Sequence, residues 1–154
     1  MATQLPLDFK EFLKLLNDKH IEYLLVGGYA VAYYGYPRPT ADMDVWVAIN
    51  AKNAAALVGV LKEFGFNVPQ LSAEIFEKEN QIVRMGNPPM RLEILTSIDG
   101  IRFDQAYERR VMDSIDGQRV NIIGLEDLKR NKAAAGRPKD LDDLLKLVNV
   151  PPLA

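Results

Sequence analysis

The sequence predicts a mixed α/β or α+β fold, in which one mixed sheet is flanked by helices and short helices follow at the C-terminal end. Strand-like and helix-like segments alternate in the first half of the chain, and a hairpin followed by two helices makes up most of the second half. Hydrophobic residues account for 48% of the 154 residues, which is enough for one core. We therefore expect a single domain over 1–154, with a small helical part over 124–150.

The first half is predicted from the spacing of its apolar residues. DFKEFLKLLNDKH has an apolar helical face, and Asp8 followed by Glu11 suggests a capping box. Asn50 is a suitable N-cap for the later alanine-rich helix, which a glycine ends. The predicted elements are a helix over 8–20, a strand over 21–28, a short helix over 29–36, a strand over 42–49 and a helix over 51–65.

The second half contains shorter segments. Residues 66–89 give no clear pattern apart from QIVRM, which is typical of a strand, and GNPP, which is typical of a turn. Asp116-Gly117 is a hairpin turn between two alternating segments. The predicted elements are strands over 81–85 and 90–95, a short helix over 101–110, a hairpin over 109–124 and helices over 125–136 and 138–148.

Composition excludes several classes of protein. The chain has no cysteine, so it has no disulfides, thiolate metal sites or cysteine nucleophiles. Its net charge of -2 disfavours a protein whose main task is to bind the nucleic-acid backbone. It has neither a signal peptide pattern nor an apolar run near the ~20 residues that span a bilayer, so we expect a cytoplasmic protein with no membrane partner. The single histidine, His20, is expected to be a solvated residue.

Two carboxylates stand on one face of the predicted strand DMDVWVAI. Because side chains alternate along a strand, Asp42 and Asp44 share a face with Trp46, and the apolar residues between them face the core. Adjacent like charges repel unless a cation lies between them. With oxygen ligands and no cysteine, Mg²⁺ or Mn²⁺ is the expected ion. Taken alone, an Asp-x-Asp pair is more often a solvated edge strand or a turn cap.

Two further features favour a functional site. Gly27 and Gly28 lie between a strand and a helix, where backbone N–H groups bind phosphate well. Glu93 is a charged residue inside the apolar strand MRLEIL, and it joins the aspartates if the two strands are neighbours. Three carboxylates on one face suit a two-metal site for attack at phosphorus. The alternative is that Glu93 is exposed or paired with Arg91.

These residues resemble the signature of the nucleotidyltransferase superfamily, in which an apolar-Gly-Gly turn is followed by Asp-apolar-Asp and a later acidic residue. The wider pattern VGGYAVAYYGYPRPTADMDVWV is similar to small bacterial members: minimal nucleotidyltransferases, relatives of AbiEii-type toxins and lincosamide nucleotidyltransferases. The tail GLEDLKRNKAAAGRPKDLDDLLKL is also similar to these proteins. The resemblance covers roughly residues 8–147.

The resemblance implies a nucleotidyltransferase fold and a metal-dependent enzyme. Such an enzyme moves a nucleoside monophosphate from an NTP donor such as ATP to an acceptor hydroxyl and releases pyrophosphate. It implies that Asp42 and Asp44 bind Mg²⁺ or Mn²⁺, that Glu93 completes the metal site and helps to deprotonate the acceptor, and that Gly27 and Gly28 hold the β- and γ-phosphates. The third acidic residue is often aspartate in this superfamily, whereas Glu93 is one methylene longer.

Other residues near these motifs are candidates for nucleotide binding. Arg38 and Thr40 directly precede the aspartates, and Lys132 lies among alanines on a predicted helix. The alternative for each cation is a solvated surface position. Arg137, Lys139 and Asp140 are expected to cap and charge a helix start. The tyrosines of this region are expected to pack rather than line a pocket, and they are Tyr29, Tyr33, Tyr34 and Tyr36.

Three functional interpretations follow. The first is the enzyme, whose acceptor is a small molecule, a tRNA or a protein, and which the resemblance places in a toxin–antitoxin-type system with a separately encoded helical partner. The second is a non-catalytic nucleotide-binding or partner-binding module of the same fold. The third, an interaction protein with solvated carboxylates, does not explain three acids on core strands.

Overall fold

The computed structural model describes residues 5–36, 42–66, 71–86 and 91–147. Within them the strands are β1 (Tyr23–Val26), β2 (Asp42–Val47), β3 (Ile82–Met85), β4 (Arg91–Leu95), β5 (Val111–Ile115) and β6 (Gln118–Ile122). The α-helices are α1 (Leu7–Asp18), α2 (Gly27–Tyr33), α3 (Ala51–Glu63), α4 (Phe103–Glu108), α5 (Leu125–Ala135) and α6 (Pro138–Leu147). A 3₁₀ helix covers Ala73–Glu77.

The strands form one mixed sheet in the order β3-β4-β2-β1-β6-β5. β2 lies near its middle, antiparallel to β1 and parallel to β4. β1 is in turn parallel to β6, and the pairs β3–β4 and β5–β6 are antiparallel. This arrangement confirms the predicted mixed sheet with flanking helices. It also places the Asp-x-Asp strand next to the strand that carries Glu93.

The alternation of β2 and β4 divides polar from apolar residues as predicted. Met43, Val45 and Val47 are fully buried, and so is Ile94 of β4. They belong to a core that also contains the apolar faces of α1 and α3. Each such side chain contributes about 1.5–3 kcal/mol on burial. A core on one side of the strands holds the carboxylates of the other side in place.

Local signals were mostly correct. The Asn50 side chain caps α3 by accepting a hydrogen bond from the Asn53 backbone N–H at 2.8 Å. Asp116 and Gly117 form the hairpin turn with φ of 51° and 80°, the left-handed pair that a two-residue hairpin needs. Along the described helices, no segment combines the length and apolarity required to cross a bilayer.

Two expectations need correction, and one element was not predicted. The capping box of Asp8 and Glu11 is wrong: α1 has Pro6 at its N-cap with no side-chain cap, and Asp8 lies in the first turn, where it complements the helix dipole instead. α2 begins at Gly27, two residues before the predicted start. The 3₁₀ helix lies within the stretch that gave no pattern, because one turn is too short to show periodicity, although its Phe76 is fully buried.

α5 and α6 are the described part of the expected C-terminal helical region. They contact each other, and α5 also holds the turn before α4, because Asn131 Nδ2 donates to the Asp99 carbonyl at 3.1 Å. The extent of a helical part over 124–150 and of one domain over 1–154 stays a prediction. The predicted GNPP turn covers 86–89, and all of it except Gly86 lies outside the described residues.

Candidate active site

Three carboxylates lie on one face of the sheet where β2 and β4 run side by side. The strands are parallel, and their register places Asp44 opposite Glu93 and Asp42 opposite Arg91. Asp42, Asp44 and Glu93 are half-buried, whereas the residues between them are in the core. From the sequence, Glu93 was expected to join the aspartates only if their two strands are neighbours. β2 and β4 are neighbours, so the three acids share one face.

Asp44 is the most perturbed member of this group. Burial, followed by the hydrogen bond and negative charge of Glu93, raises its pKa to about 7. One of its oxygens, Oδ1, is buried and has no hydrogen-bond partner within the described part of the chain. Lys139 acts in the opposite direction on this pKa. A carboxyl that lies beside a second carboxyl and keeps an unsatisfied buried oxygen is suited to bind a cation or to hold a proton.

Gly27 is required by its contact with Asp44. Its φ is +69°, and a Cβ built on it would lie 2.1 Å from Asp44 Oδ2. Both the left-handed backbone and the lack of space exclude larger residues. The next residue, Gly28, is buried in the first turn of α2. The glycine turn therefore lies directly against the carboxylates, and both glycines line the same cavity as Asp44.

Two arginines, Arg91 and Arg84, pair with the other acids. Arg91 binds Asp42 through two hydrogen bonds of 2.8 and 3.0 Å, and Arg84 binds Glu93 at 2.6 Å. The expected alternative of a Glu93–Arg91 pair is wrong, because the register brings Arg84 of β3 opposite Glu93. Two-residue spacing in RLE already places Arg91 on the face of Glu93, but no sequence signal identifies Arg84, which depends on the pairing of β3.

Lys132 borders the cavity but is part of a buried ion cluster. Its Nζ lies 3.2 Å from Asp140 Oδ1 and 3.1 Å from Asp143 Oδ2, and the three side chains are at most 6% exposed. Arg137 also binds Asp140, through Nε at 2.6 Å. The solvated alternative for Lys132 is therefore wrong. Its assignment to nucleotide binding stays a prediction, since two carboxylates already compensate its charge.

The carboxylates open into a cavity of about 630 Å³. Arg137 and Lys139 line it, although the sequence assigned them only to a helix start. No pattern in the sequence indicates that α6 begins beside this cavity. Its charged lining residues are Asp42, Asp44, Arg84, Arg91, Glu93, Asp99, Lys132, Arg137 and Lys139.

The donor set fits a hard divalent cation, with one condition. Asp44 and Glu93 supply adjacent oxygens, and the unsatisfied Asp44 Oδ1 lacks the partner that a cation provides. As they stand, however, no three acidic or histidine side chains in the described ranges are grouped to hold a metal. Arg91 and Arg84 occupy oxygens of Asp42 and Glu93. Full coordination by all three acids therefore requires these ion pairs to open.

The remaining predicted residues lie elsewhere. Arg38 and Thr40 fall outside the described residues. The tyrosines pack as expected: Tyr29 meets Phe9 edge to face, and the Tyr34 hydroxyl donates to the Ile123 carbonyl at 2.7 Å. None of Tyr29, Tyr33, Tyr34 and Tyr36 is among the described residues that line the cavity beside the carboxylates.

The raised pKa of Asp44 predicts a pH-dependent stability. The folded protein holds this proton up to about pH 7, whereas the unfolded chain releases it near 3.8, so the stabilisation is present at low pH and lost as pH rises through 7. Between pH 5 and 8, the metal-free wild type should lose about 2 kcal/mol of unfolding free energy relative to Asp44→Asn. Urea unfolding at both pH values measures it. Asp104→Asn, an exposed control, should follow the wild type; a wild-type slope in Asp44→Asn would contradict the prediction.

Comparisons with known proteins identify the family of the chain and its fold. The family of nucleotidyl transferases of unknown function (DUF2204) matches residues 6–152. Among curated proteins, none matches the sequence significantly. Solved structures with the same fold include a candidate nucleotidyltransferase from Thermotoga maritima, 14% identical with a TM-score of 0.62, over 92% of this chain and 90% of that one.

Two other solved structures share the fold. An antigenic nucleotidyltransferase-like protein from Paracoccidioides brasiliensis is 21% identical with a TM-score of 0.55, over 90% of this chain and 72% of that one. The lincosamide antibiotic adenylyltransferase LnuA, solved with lincomycin bound, is 14% identical with a TM-score of 0.62, over 97% of this chain and 99% of that one. At these identities the similarity shows the fold alone. The family match is the stronger finding, and by it the chain belongs to the DUF2204 family and is a nucleotidyltransferase.

Proposed function

We propose that the chain transfers a nucleoside monophosphate from an NTP to an acceptor hydroxyl, with Asp42, Asp44 and Glu93 as the catalytic carboxylates. The observation that carries this proposal is the pairing of Asp44 with Glu93 across β2 and β4, directly against Gly27. An unsatisfied buried oxygen on Asp44 and a cavity of about 630 Å³ accompany it. Such a site stabilises charge at phosphorus by position rather than by covalent chemistry.

The proposed transfer is a single displacement at the α-phosphorus of the NTP. The acceptor oxygen forms a bond to the α-phosphorus, and the bond from this phosphorus to the bridging oxygen breaks, so that pyrophosphate leaves with the electron pair. Glu93 takes the proton of the acceptor hydroxyl, which requires that Asp44 has already released the proton of the hydrogen bond between the two carboxyls. Gly27 and Gly28 approach the β- and γ-phosphates, and Arg38 and Thr40 are further proposed nucleotide ligands.

A divalent cation, Mg²⁺ or Mn²⁺, held by Asp42, Asp44 and Glu93 would supply Lewis-acid stabilisation of the charge on the phosphates. The arginines then have a second task. Because Arg84 and Arg91 hold Glu93 and Asp42 without ligand, they neutralise acids that would otherwise repel one another. A bound triphosphate offers both arginines more negative charge, and their release would free the acids for the cation.

Calorimetric titration of the wild type with ATP, GTP, CTP and UTP in Mg²⁺ tests the proposal. We expect one or more NTPs to bind, and the Asp42→Asn/Asp44→Asn double variant to lose at least about tenfold in affinity, because it lacks the charge that holds the cation. Asp18→Asn, an exposed acid on α1, is the matched control and should bind like the wild type. If the folded wild type binds none of the four nucleotides, the proposal that the chain is an enzyme on its own is wrong.

One observation favours the second candidate, a non-catalytic module of the same fold. Two of the three acids are held in ion pairs, and Arg91 binds Asp42 with both oxygens occupied. A module of this kind would bind NTP without releasing pyrophosphate. A coupled phosphate assay measures pyrophosphate release and therefore separates the module from the enzyme. A helical partner in a toxin–antitoxin-type system is also proposed; it would contact Leu141 of α6, which is exposed.

A further inference from the structure

We propose that the acceptor binds in a second cavity beside the catalytic one, and that it is a small hydroxylated molecule that is neutral or positively charged, such as an amino sugar. This inference rests on the proposed nucleotidyl transfer and names its acceptor class. It is carried by a buried hydrogen-bond donor that lacks a partner, by an aromatic wall and by the charge of the cavity rim.

The second cavity, which we call the aromatic cavity, has a volume of about 640 Å³. It shares Asn80, Ser97 and Ile98 with the catalytic cavity, so the two spaces adjoin. The Ser97 hydroxyl accepts a hydrogen bond from the Asn80 backbone N–H at 3.0 Å, which ties this boundary together. A molecule in the aromatic cavity therefore has a route to a phosphate bound over the carboxylates.

Trp46 connects the aromatic cavity to the catalytic strand. It follows Asp42 and Asp44 on the same face of β2 and lines the cavity. The side chain is 1% exposed, yet its Nε1 has no hydrogen-bond partner among the residues that the structure describes. A buried indole N–H normally finds an acceptor, because leaving the bond unmade costs free energy. Nε1 itself is closed to solvent, so a ligand oxygen in the cavity would supply that acceptor once the indole or a neighbouring side chain shifts to open it.

The rings of α4 extend this wall. Phe103 meets Trp46 edge to face at 5.0 Å, and Tyr107 stacks on Phe103 at 5.3 Å. Apolar walls with a few polar groups are typical of sites for small molecules. Amide and hydroxyl side chains lie among them, at Asn50, Asn80 and Ser97. This combination suits the apolar face and hydroxyl groups of a sugar-like compound.

The charge of the lining excludes a polyanion. Glu22 and Glu79 are exposed at the cavity, and the one cation among its described lining residues, Arg102, is already paired with Asp104 at 3.2 Å. A phosphate-rich acceptor such as RNA would meet two acids without a compensating base. An ammonium group would be attracted by the same carboxylates. The charge therefore favours cationic over anionic hydroxyl compounds.

Trp46 is the only tryptophan of the chain, so its fluorescence reports directly on this cavity. We would titrate the nucleotide-free wild type with glucosamine, glucose and glucose 6-phosphate, which differ mainly in charge. We expect each response to saturate, with glucosamine at least about threefold tighter than glucose and glucose 6-phosphate the weakest, a preference of the size that exposed charges provide. Glu22→Gln/Glu79→Gln should remove this order.

Glu74→Gln/Glu77→Gln is the matched control, because it removes two exposed acids of the 3₁₀ helix that line neither cavity. It should keep the wild-type order. No response of Trp46 to any of the three sugars, or tightest binding of glucose 6-phosphate, would overturn the proposal. Because these titrations contain no nucleotide, their failure is separate from a failure of NTP binding in the calorimetric experiment.

Discussion

Gly27→Ala is expected to lower the free energy of unfolding by about 2–4 kcal/mol and to abolish NTP binding. The new methyl group would stand 2.1 Å from Asp44 Oδ2, and the φ of +69° would be strained for any L side chain. Relief requires either the α2 start or the Asp44 carboxylate to move, and both belong to the site. Urea unfolding and calorimetry with Mg²⁺ and NTP measure the two effects.

Gly59→Ala is the control for this change. Gly59 lies exposed on α3, has no neighbour within 4 Å of the added Cβ and needs no left-handed φ. Alanine is the better helix former by about 1 kcal/mol, so this variant should be as stable as the wild type or more stable, with unchanged NTP binding. Equal effects of the two substitutions would show that the contact between Gly27 and Asp44 does not matter.

Lys132→Met is expected to cost about 3–5 kcal/mol of stability. The substitution removes the cation from Asp140 and Asp143, which are 1% and 2% exposed, and leaves their carboxylates buried with less compensation. Chemical unfolding followed by circular dichroism measures the change.

Lys14→Met provides the comparison, since the Lys14–Asp18 pair has a similar 3.0 Å length but both side chains are more than half exposed. Such a surface pair contributes little, so this variant should stay within about 0.5 kcal/mol of the wild type. If Lys132→Met is equally mild but weakens NTP binding, then Lys132 is a nucleotide ligand and the buried cluster is not a support of the fold.

Much of the fold was predictable because its signals are local. The 3.6-residue period marks α1 and α3, and a left-handed Asp116-Gly117 pair marks the hairpin. The errors occurred where local signals conflict or are absent. Asp8 and Glu11 have the spacing of a capping box, yet α1 begins one residue before Asp8, so the pattern falls inside the helix.

The sequence by itself determined that Asp42 and Asp44 share a face of one strand and that a glycine turn precedes them, because alternation and turn chemistry depend on neighbouring residues. Only the tertiary structure decided what surrounds these acids. The pairing of β2 with β4 joins residues 49 positions apart along the chain and sets Glu93 beside Asp44. The pairing of β3 with β4 then places Arg84 opposite Glu93. Burial of Lys132 likewise depends on how α6 packs on α5. Strand register and helix packing follow from the burial of the whole core, which no single segment encodes.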